Sequence, residues 1–585
     1  MSETQNPDQG ETNITPPTNG SNRGKYLLIG LICLVVLIGV GAFTVVHARS
    51  AAASMRRQQA SSAAGKFLRT WASGNLSALP AQTVTGSAGV AAAYASVDNA
   101  LGIATKTAGT GSSHSSSTQS APASPLKFTL GAPLGSGELI TVPATITIDV
   151  PGLGTWRDTT QLRVRNTGSR ALIDWSPQTI TPALKTGDHL RMTRTVPRRA
   201  AVLGAGGQPI PLTADASAMI GTVGPASASE AKADPTLRPG DLVGQSGLQA
   251  SSDATLRGTP SGKVSVVDPA GNTVTTLVSW AGRNPVSVSS TLNPTMQAAA
   301  AQVLALANSG HPSALVAIDA RTGGVLAAAS NPAGYPRALL GQYPPGSTFK
   351  MVTLTAALMA GNTMASPTSC TPTATVDGYT LRNAGGESFG TIPLQQAFAV
   401  SCNTSFVHLA MTLPTGTLAA AAKLLGCDTG HAPLPAPSFG CSYPATATGT
   451  AYAASSIGQG TVLTSPLAIA SIAAAADSGT WNQTHLSPGP PPTSHPLPAA
   501  VAAGLRQGMR AVVTSGTGTA ANLPGTPVYG KTGTAEHGSG SKPPTDAWFA
   551  AFRGNIAVAV VVEDAGFGAT AALPVATSFL RTVAP

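Results

Sequence analysis

From residue 290 onward, strand patterns lie at both ends of the region and helix patterns lie between them, which restricts the fold sharply. Residues 291–308 are Ala-rich with helical spacing. Residues 314–329 hold a strand, a turn at 319–324 and a second strand at 325–329. Helical runs follow around 351–360, 395–411 and 465–477, and strands are expected at 526–531, 547–552 and 557–563. Strands this far apart bury their apolar faces by sharing a sheet. The C-terminal strands therefore complete a sheet begun near residue 314, with a helical cluster alongside.

The 585 residues suffice for two to four domains. Only 10% are charged and 42% are hydrophobic, a balance of packed domains rather than disorder. The net charge of +10 forms no dense Lys/Arg run. That argues against a nucleic-acid partner and fits weak attraction to an anionic envelope surface.

Residues 26–46 are apolar and uncharged, flanked by Arg23, Lys25 and Arg49. About 20 such residues span a bilayer, whereas the core of a cleavable signal peptide runs ~7–15. The expectation is a single transmembrane anchor at 26–46 with residues 1–25 as a polar cytoplasmic tail. Arg49, Arg56 and Arg57 lie just beyond the run, so charge mildly favours the opposite orientation. The large C-terminal part is placed outside the cell by its chemistry instead.

Residues 61–74 carry Phe67, Leu68 and Trp71 on one helical face, 107–124 form a Ser/Thr/Gly-rich loop, and alternating strands follow at 139–150 and 161–175. One helix on a curved sheet makes an α+β module without a pocket of acid/base residues, read as a spacer or docking domain. Residues 181–285 form a second, β-rich module. Of the five cysteines, Cys33 lies in the anchor; Cys370, Cys402, Cys427 and Cys441 can pair in three ways, and Cys427 and Cys441, which flank a Pro/Gly-rich loop, are the expected pair. Cys402 is expected to be a small buried thiol.

Three short motifs carry chemistry: Ser347-Thr348-Phe349-Lys350, Ser401-Cys402-Asn403 and Lys531-Thr532-Gly533-Thr534. Each has chance copies: Ser124/Lys127, Ser229/Lys232 and Ser539/Lys542 for the first, Ser73-Gly74-Asn75 for the second, Lys185-Thr186-Gly187 for the third. Context separates them. Ser347 follows Pro-Pro-Gly and precedes a helix-forming run, so it sits at a helix N-terminus where negative charge is favoured. Lys350 lies one turn on, on the same face. It can take the serine proton if burial or a nearby cation, such as Lys531, keeps it neutral. Lys531 and the hydroxyls of Thr532 and Thr534, at the end of a strand, suit a carboxylate, with Gly533 allowing close backbone approach.

Residues 286–585 resemble the transpeptidase domain of class B penicillin-binding proteins. Besides the motifs, residues 317–327, Ile457-Gly458-Gln459-Gly460 and Thr464-Ser465-Pro466-Leu467 follow that family's pattern. Residues 50–180 resemble the NTF2-like N-terminal domain of the methicillin-resistance type, on the match at 175–188. The implied architecture is multidomain α+β. A single transmembrane helix precedes the NTF2-like domain, then a small β-rich pedestal or dimerisation module at 181–285, then a β-lactamase-like serine transpeptidase domain.

The resemblance implies that Ser347 is acylated, Lys350 accepts its proton and Ser401 relays a proton to the leaving group. Asn403 would bind the substrate amide, and Lys531, Thr532, Gly533 and Thr534 would hold the carboxylate end. The N–H groups of Ser347 and Thr534 would form the oxyanion hole. The implied ligands are peptidoglycan stem peptides ending in D-Ala-D-Ala and β-lactam antibiotics, and no cofactor or metal ion is called for. No glycosyltransferase module precedes residue 286, which implies a separate glycan polymerase and a place in the plasma membrane.

Three alternatives remain at this level. A D,D-carboxypeptidase differs only in its acyl acceptor. A β-lactamase-like hydrolase of class A needs a Glu, and none lies between Asn403 and Lys531. A β-lactam sensor needs a cytoplasmic signalling module, and residues 1–25 are short for one.

Overall fold

The computed structural model describes residues 23–103, 125–167, 170–307, 310–427, 434–540 and 542–583, with the side chains of 23–42 left aside. The expected tail and the loop at 107–124 lie outside the described residues. Two compact units emerge: residues 1–193 with 262–280, and residues 194–261 with 281–585.

In the first unit, helix α1 (Arg23–Ala72) is followed by α2 (Gly89–Leu101) and by strands β1 (Leu126–Leu130), β2 (Leu139–Val150), β3 (Gly154–Asn166) and β4 (Ala171–Ile173). The four strands form one antiparallel sheet in sequence order. Along β2 buried residues alternate with less buried ones, so Ile140, Val142, Ile146 and Ile148 share one face. That face packs with Phe67, Leu68 and Trp71 of α1, as the sequence pattern predicts, and with Tyr94 of α2.

A buried carboxylate was not anticipated. Asp98, on α2, accepts a hydrogen bond from Trp71 Nε1 at 2.9 Å. Strands β5 (His189–Thr195), β6 (Ser261–Val267) and β7 (Thr273–Trp280) make a second sheet with β6 in the middle. Val264 and Val266 join the same core, so residues 262–280, grouped above with 181–285, belong to this unit.

Helix α1 continues unbroken through the apolar run at 26–46. Among the described residues no helix is long and apolar enough to cross a membrane, and most of that run falls on residues 23–42, outside the side-chain description.

In the second unit, helix α3 (Pro294–Leu306) precedes strands β8 (Ser313–Asp319) and β9 (Val325–Asn331). The chain then builds helices α4 (Lys350–Met359), α5 (Leu394–Ala399), α6 (Asn403–Thr412), α7 (Pro466–Ser478) and α8 (Ala499–Ser515). Strands β10 (Val528–Glu536), β11 (Thr545–Arg553) and β12 (Ile556–Val562) and helix α9 (Ala572–Val583) complete it. The sheet order is β9-β8-β12-β11-β10, all antiparallel. The C-terminal strands thus fill the middle and one edge of a sheet begun at residue 313.

Three expectations change. The run at 395–411 is two helices broken at Ser401. Lys531-Thr532-Gly533-Thr534 lies inside β10 rather than at its end. Helix α9, not a strand, closes the described chain. Helix α8 also went unread, although Leu505, Met509 and Val512 bury one of its faces.

Replacing Asp98 with Ala leaves the Trp71 N–H without this acceptor. The expected cost is about 1–3 kcal/mol for a buried polar group losing its partner, seen as an earlier urea transition of the first unit. Asp98→Asn, which keeps an acceptor oxygen, should cost less.

Candidate active site

The turn carrying Ser347 is fixed from three directions. Trp548 Nε1 donates to Pro344 O at 3.1 Å, and Tyr343 Oη donates to Glu563 at 2.6 Å. Gly346 has φ +51°, and a Cβ there would collide with the carbonyl of Thr534, so only glycine brings this turn against β10. Ser347 stands in a short 3-10 turn, Gly346–Phe349, directly ahead of α4. At Gly533 a Cβ would lie 2.9 Å from both Thr348 Cγ2 and Trp548 Cβ. The protein's own nucleophile turn, rather than a ligand, makes the close approach at that point.

Lys350 opens α4 and is fully buried. Its Nζ donates to Asn403 Oδ1 at 2.6 Å, to Ser401 O at 2.7 Å and to Ser401 Oγ at 3.3 Å. Lys531 is also fully buried, and its Nζ donates to Ser401 Oγ at 2.8 Å and to Thr532 O at 2.9 Å. The Ser401 hydroxyl therefore sits between two amines. Each amine also lies over an aromatic ring, Lys350 over Phe406 and Lys531 over Phe398, both at 5.5 Å. Burial pushes the Lys350 amine well below its ordinary value, and the neighbouring Lys531 charge lowers it further. Burial brings Lys531 down to about 7.

Ser401 adopts φ +61°, unusual for a side chain with a Cβ. Its N–H bonds Phe398 O and the Cys402 N–H bonds Ala397 O, which closes α5 before α6 begins. Cys402 is disulfide-bonded to Cys370, with Cα atoms 6.2 Å apart. This corrects the expectation of a free thiol. Cys370 ends the strand Pro367–Cys370, which packs on α6, a contact between segments 32 residues apart that spacing does not reveal. The Cys427–Cys441 bond is present as expected. Asn403 Nδ2 donates to Arg382 O at 2.8 Å, so the amide that receives the Lys350 proton is itself held in place.

Along β10, Thr532 Oγ1 lies 2.5 Å from Thr517 Oγ1. Thr517 was not anticipated. It follows α8 in the run Ser515-Gly516-Thr517-Gly518-Thr519, and its N–H bonds Ala399 O, beside the Ser401 turn. A Gly-Thr repeat after a helix is the signal that could have found it. Thr534 Oγ1 accepts from Gly568 N–H at 3.4 Å.

Hydrogen bonds thus join Lys350, Ser401, Asn403 and Lys531 in one site, and the turn carrying Ser347 packs on the strand of Lys531, Thr532 and Thr534. The chance copies at Lys185, Ser229 and Ser539 do not join it. Lys185 N–H bonds Asp188 in an exposed turn, Ser229 sits in the exposed first turn of the helix Ala228–Ala233, Ser539 is exposed, and Ser124 lies outside the described residues.

Two family models match the chain: the penicillin-binding protein transpeptidase domain over residues 313–584 and the penicillin-binding protein dimerisation domain over 207–287. The chain is 33% identical to peptidoglycan D,D-transpeptidase PbpA of Mycolicibacterium smegmatis, over 49% of this chain and 70% of that one. It is 32% identical to PbpA of Mycobacterium tuberculosis, over 49% and 69%. Among solved structures, a peptidoglycan synthase complex that coordinates polymerisation and crosslinking matches with a TM-score of 0.59, 23% identity and coverage of 68% and 92%. A ceftriaxone acyl-enzyme complex of penicillin-binding protein A from M. tuberculosis matches with a TM-score of 0.51, 24% identity and coverage of 67% and 99%.

Holding Lys531 at about 7 against 10.5 has a stability consequence. Below pH 7 the folded protein carries the full penalty of a buried ammonium. Between those two values the unfolded chain binds more protons than the folded one, so stability rises with pH. Lys531→Met should raise the melting temperature near neutral pH and flatten its rise between pH 7 and 10, read by calorimetry across that range.

Proposed function

We propose that this chain, which belongs to the class B penicillin-binding protein family, is a peptidoglycan D,D-transpeptidase working through a serine acyl-enzyme. The observation that carries the reading is the Ser401 hydroxyl in contact with two fully buried amines. A single charge shared between them leaves one amine free to accept a proton.

The D-Ala-D-Ala terminal carboxylate pairs with Lys531 and the hydroxyls of Thr532 and Thr534. Ser347 Oγ attacks the penultimate carbonyl, and its proton passes to neutral Lys350. The oxyanion is held by the N–H groups of Ser347 and Thr534. Ser401, touching both amines, passes a proton to the departing D-Ala nitrogen as the C–N bond breaks. Asn403 holds Lys350 and offers its remaining amide hydrogen to the substrate backbone. An amine of a second stem peptide then attacks the ester, forming the cross-link and releasing Ser347. Arrival of the carboxylate beside Lys531 favours its charged form, which in turn keeps Lys350 neutral.

The wider assignment rests on the sequence and the family. Residues 1–25 form a cytoplasmic tail and 26–46 a single membrane anchor, supported by the uncharged apolar run. Residues 50–180 form an NTF2-like domain, supported by two helices on a four-stranded sheet. Residues 181–285, of which 262–280 pack with the first unit, form the pedestal, and 286–585 the catalytic domain, which lies outside the plasma membrane and works with a separate glycan polymerase. β-Lactams occupy the same site.

Labelling with fluorescent penicillin, followed by peptide mass mapping, should place the adduct on Ser347; an adduct on Ser229 or Ser539 would contradict the assignment. The adduct should persist for hours, since no Glu lies between Asn403 and Lys531 to activate water. Cross-linked muropeptides, rather than trimmed ones, should be the product; trimmed peptides alone would indicate a carboxypeptidase.

Lys531→Ala should slow penicillin acylation by ~10²-fold or more, within the range for a lost preorganised electrostatic contact. Lys531→Arg should keep part of the rate, since it retains the charge but changes its shape. Parental rates in a folded Lys531→Ala protein would remove Lys531 from the carboxylate site.

A further inference from the structure

The segment Gly458-Gln459-Gly460 has no part in the steps above, yet it touches both walls of the site. Gly458 O accepts the Gly346 N–H at 2.9 Å, one residue before the nucleophile. Gly458 has φ +76°, and a Cβ there would collide with the Gly346 carbonyl. The half-buried Gln459 side chain reaches the other wall. Oriented as its neighbours require, its amide donates to Glu536 O at 3.2 Å and accepts from Glu536 N–H at 3.1 Å.

Glu536 is the last residue of β10, the edge strand of the five-stranded sheet. On an antiparallel strand, the backbone groups facing a given edge recur at every second residue. Thr532, Thr534 and Glu536 therefore face the same edge, where the Thr532 carbonyl also accepts from Lys531 Nζ. The Gln459 amide makes the paired contacts that a neighbouring strand would make at Glu536. That position is closed, and Thr532 and Thr534 remain on the track.

We propose that Gln459 is a positioning residue for acyl transfer, ending the substrate track at Thr534 and holding the Thr534 N–H in register with the Ser347 N–H. The proposal rests on the acyl-transfer reading above. With the donor's carboxylate toward Lys531 and its reacting carbonyl at Thr534, the rest of the stem peptide lies toward Glu536. Gln459 already occupies the backbone groups there. The stem must leave the strand edge after the reacting residue, so the site selects a chain end and does not admit a continuous strand.

Benzylpenicillin acylation of the full chain tests this, with stopped-flow rates and infrared difference spectra of the acyl-ester carbonyl, whose stretch reports hydrogen bonding in the oxyanion hole. Gln459→Ala should lower the first-order acylation step at least tenfold. It should leave the preceding noncovalent affinity within about twofold and move the ester stretch to higher wavenumber. Gln459→Glu keeps the length and the contact to the Glu536 N–H but loses the donor, and should fall between parent and Ala. If Gln459→Ala also lowers the melting temperature, the Glu variant at parental stability decides the matter. Parental rates and an unshifted carbonyl in a folded variant would overturn the proposal. A parental chain that penicillin does not acylate would overturn the acyl-transfer reading beneath it.

Discussion

Two lysine amines buried within reach of one serine hydroxyl are the arrangement on which the site depends. Either amine alone in such a place would lose its charge or find a carboxylate. Here Lys350 is met by Ser401 O, Ser401 Oγ and Asn403 Oδ1, and Lys531 by Ser401 Oγ and Thr532 O, all neutral oxygens. Neutral acceptors orient the amines without holding their protons firmly. The same burial that costs stability makes a proton acceptor of a residue that is ordinarily charged. Stability and reactivity are opposed at these two positions.

The fold brings the two lysines together from distant parts of the chain. Lys350 opens a helix of the helical cluster and Lys531 lies on an edge strand made late in the sequence. The interval between them is bridged by Ser401, at a break between two helices. That break holds a left-handed residue, and a disulfide to Cys370 anchors its next residue to a neighbouring strand. Strain at Ser401 is held by the surrounding bonds, as is common where a side chain must be presented rather than packed. The turn before Ser347 is held by the same sheet, through Trp548 and the close contact of Gly346 with Thr534. One rigid sheet thus sets both the nucleophile and the carboxylate site.

Much of this was legible in the sequence, because the three motifs differ from their chance copies in their local setting. Pro-Pro-Gly before Ser347 signals a turn into a helix, whereas Lys185 is followed by Asp188 in a turn. The alternation in β2 and the apolar face at Phe67, Leu68 and Trp71 were also readable, since period and face coincide. What stayed hidden depends on contacts between distant segments. The Cys370–Cys402 bond, the Thr517–Thr532 hydroxyl pair and the grip of Gln459 on Glu536 each join segments that no local pattern connects. The break at Ser401 was hidden for a different reason, as the helical residues on either side conceal a single turn residue. The packing of residues 262–280 with the first unit also stayed hidden, because strand partners across a long insertion leave no mark on composition.

The claim that Lys350 is neutral beside a charged Lys531 is tested most directly by nitrogen-15 NMR of the lysine side chains across a pH titration, in the parent and in Lys531→Met. The account predicts that Lys350 loses its proton well below the ordinary lysine value of about 10.4. In Lys531→Met that midpoint should rise yet stay depressed, because burial is the larger cause and the neighbouring charge the smaller. A Lys350 amine that titrates near the ordinary value in the parent, with no change on removing Lys531, would contradict it.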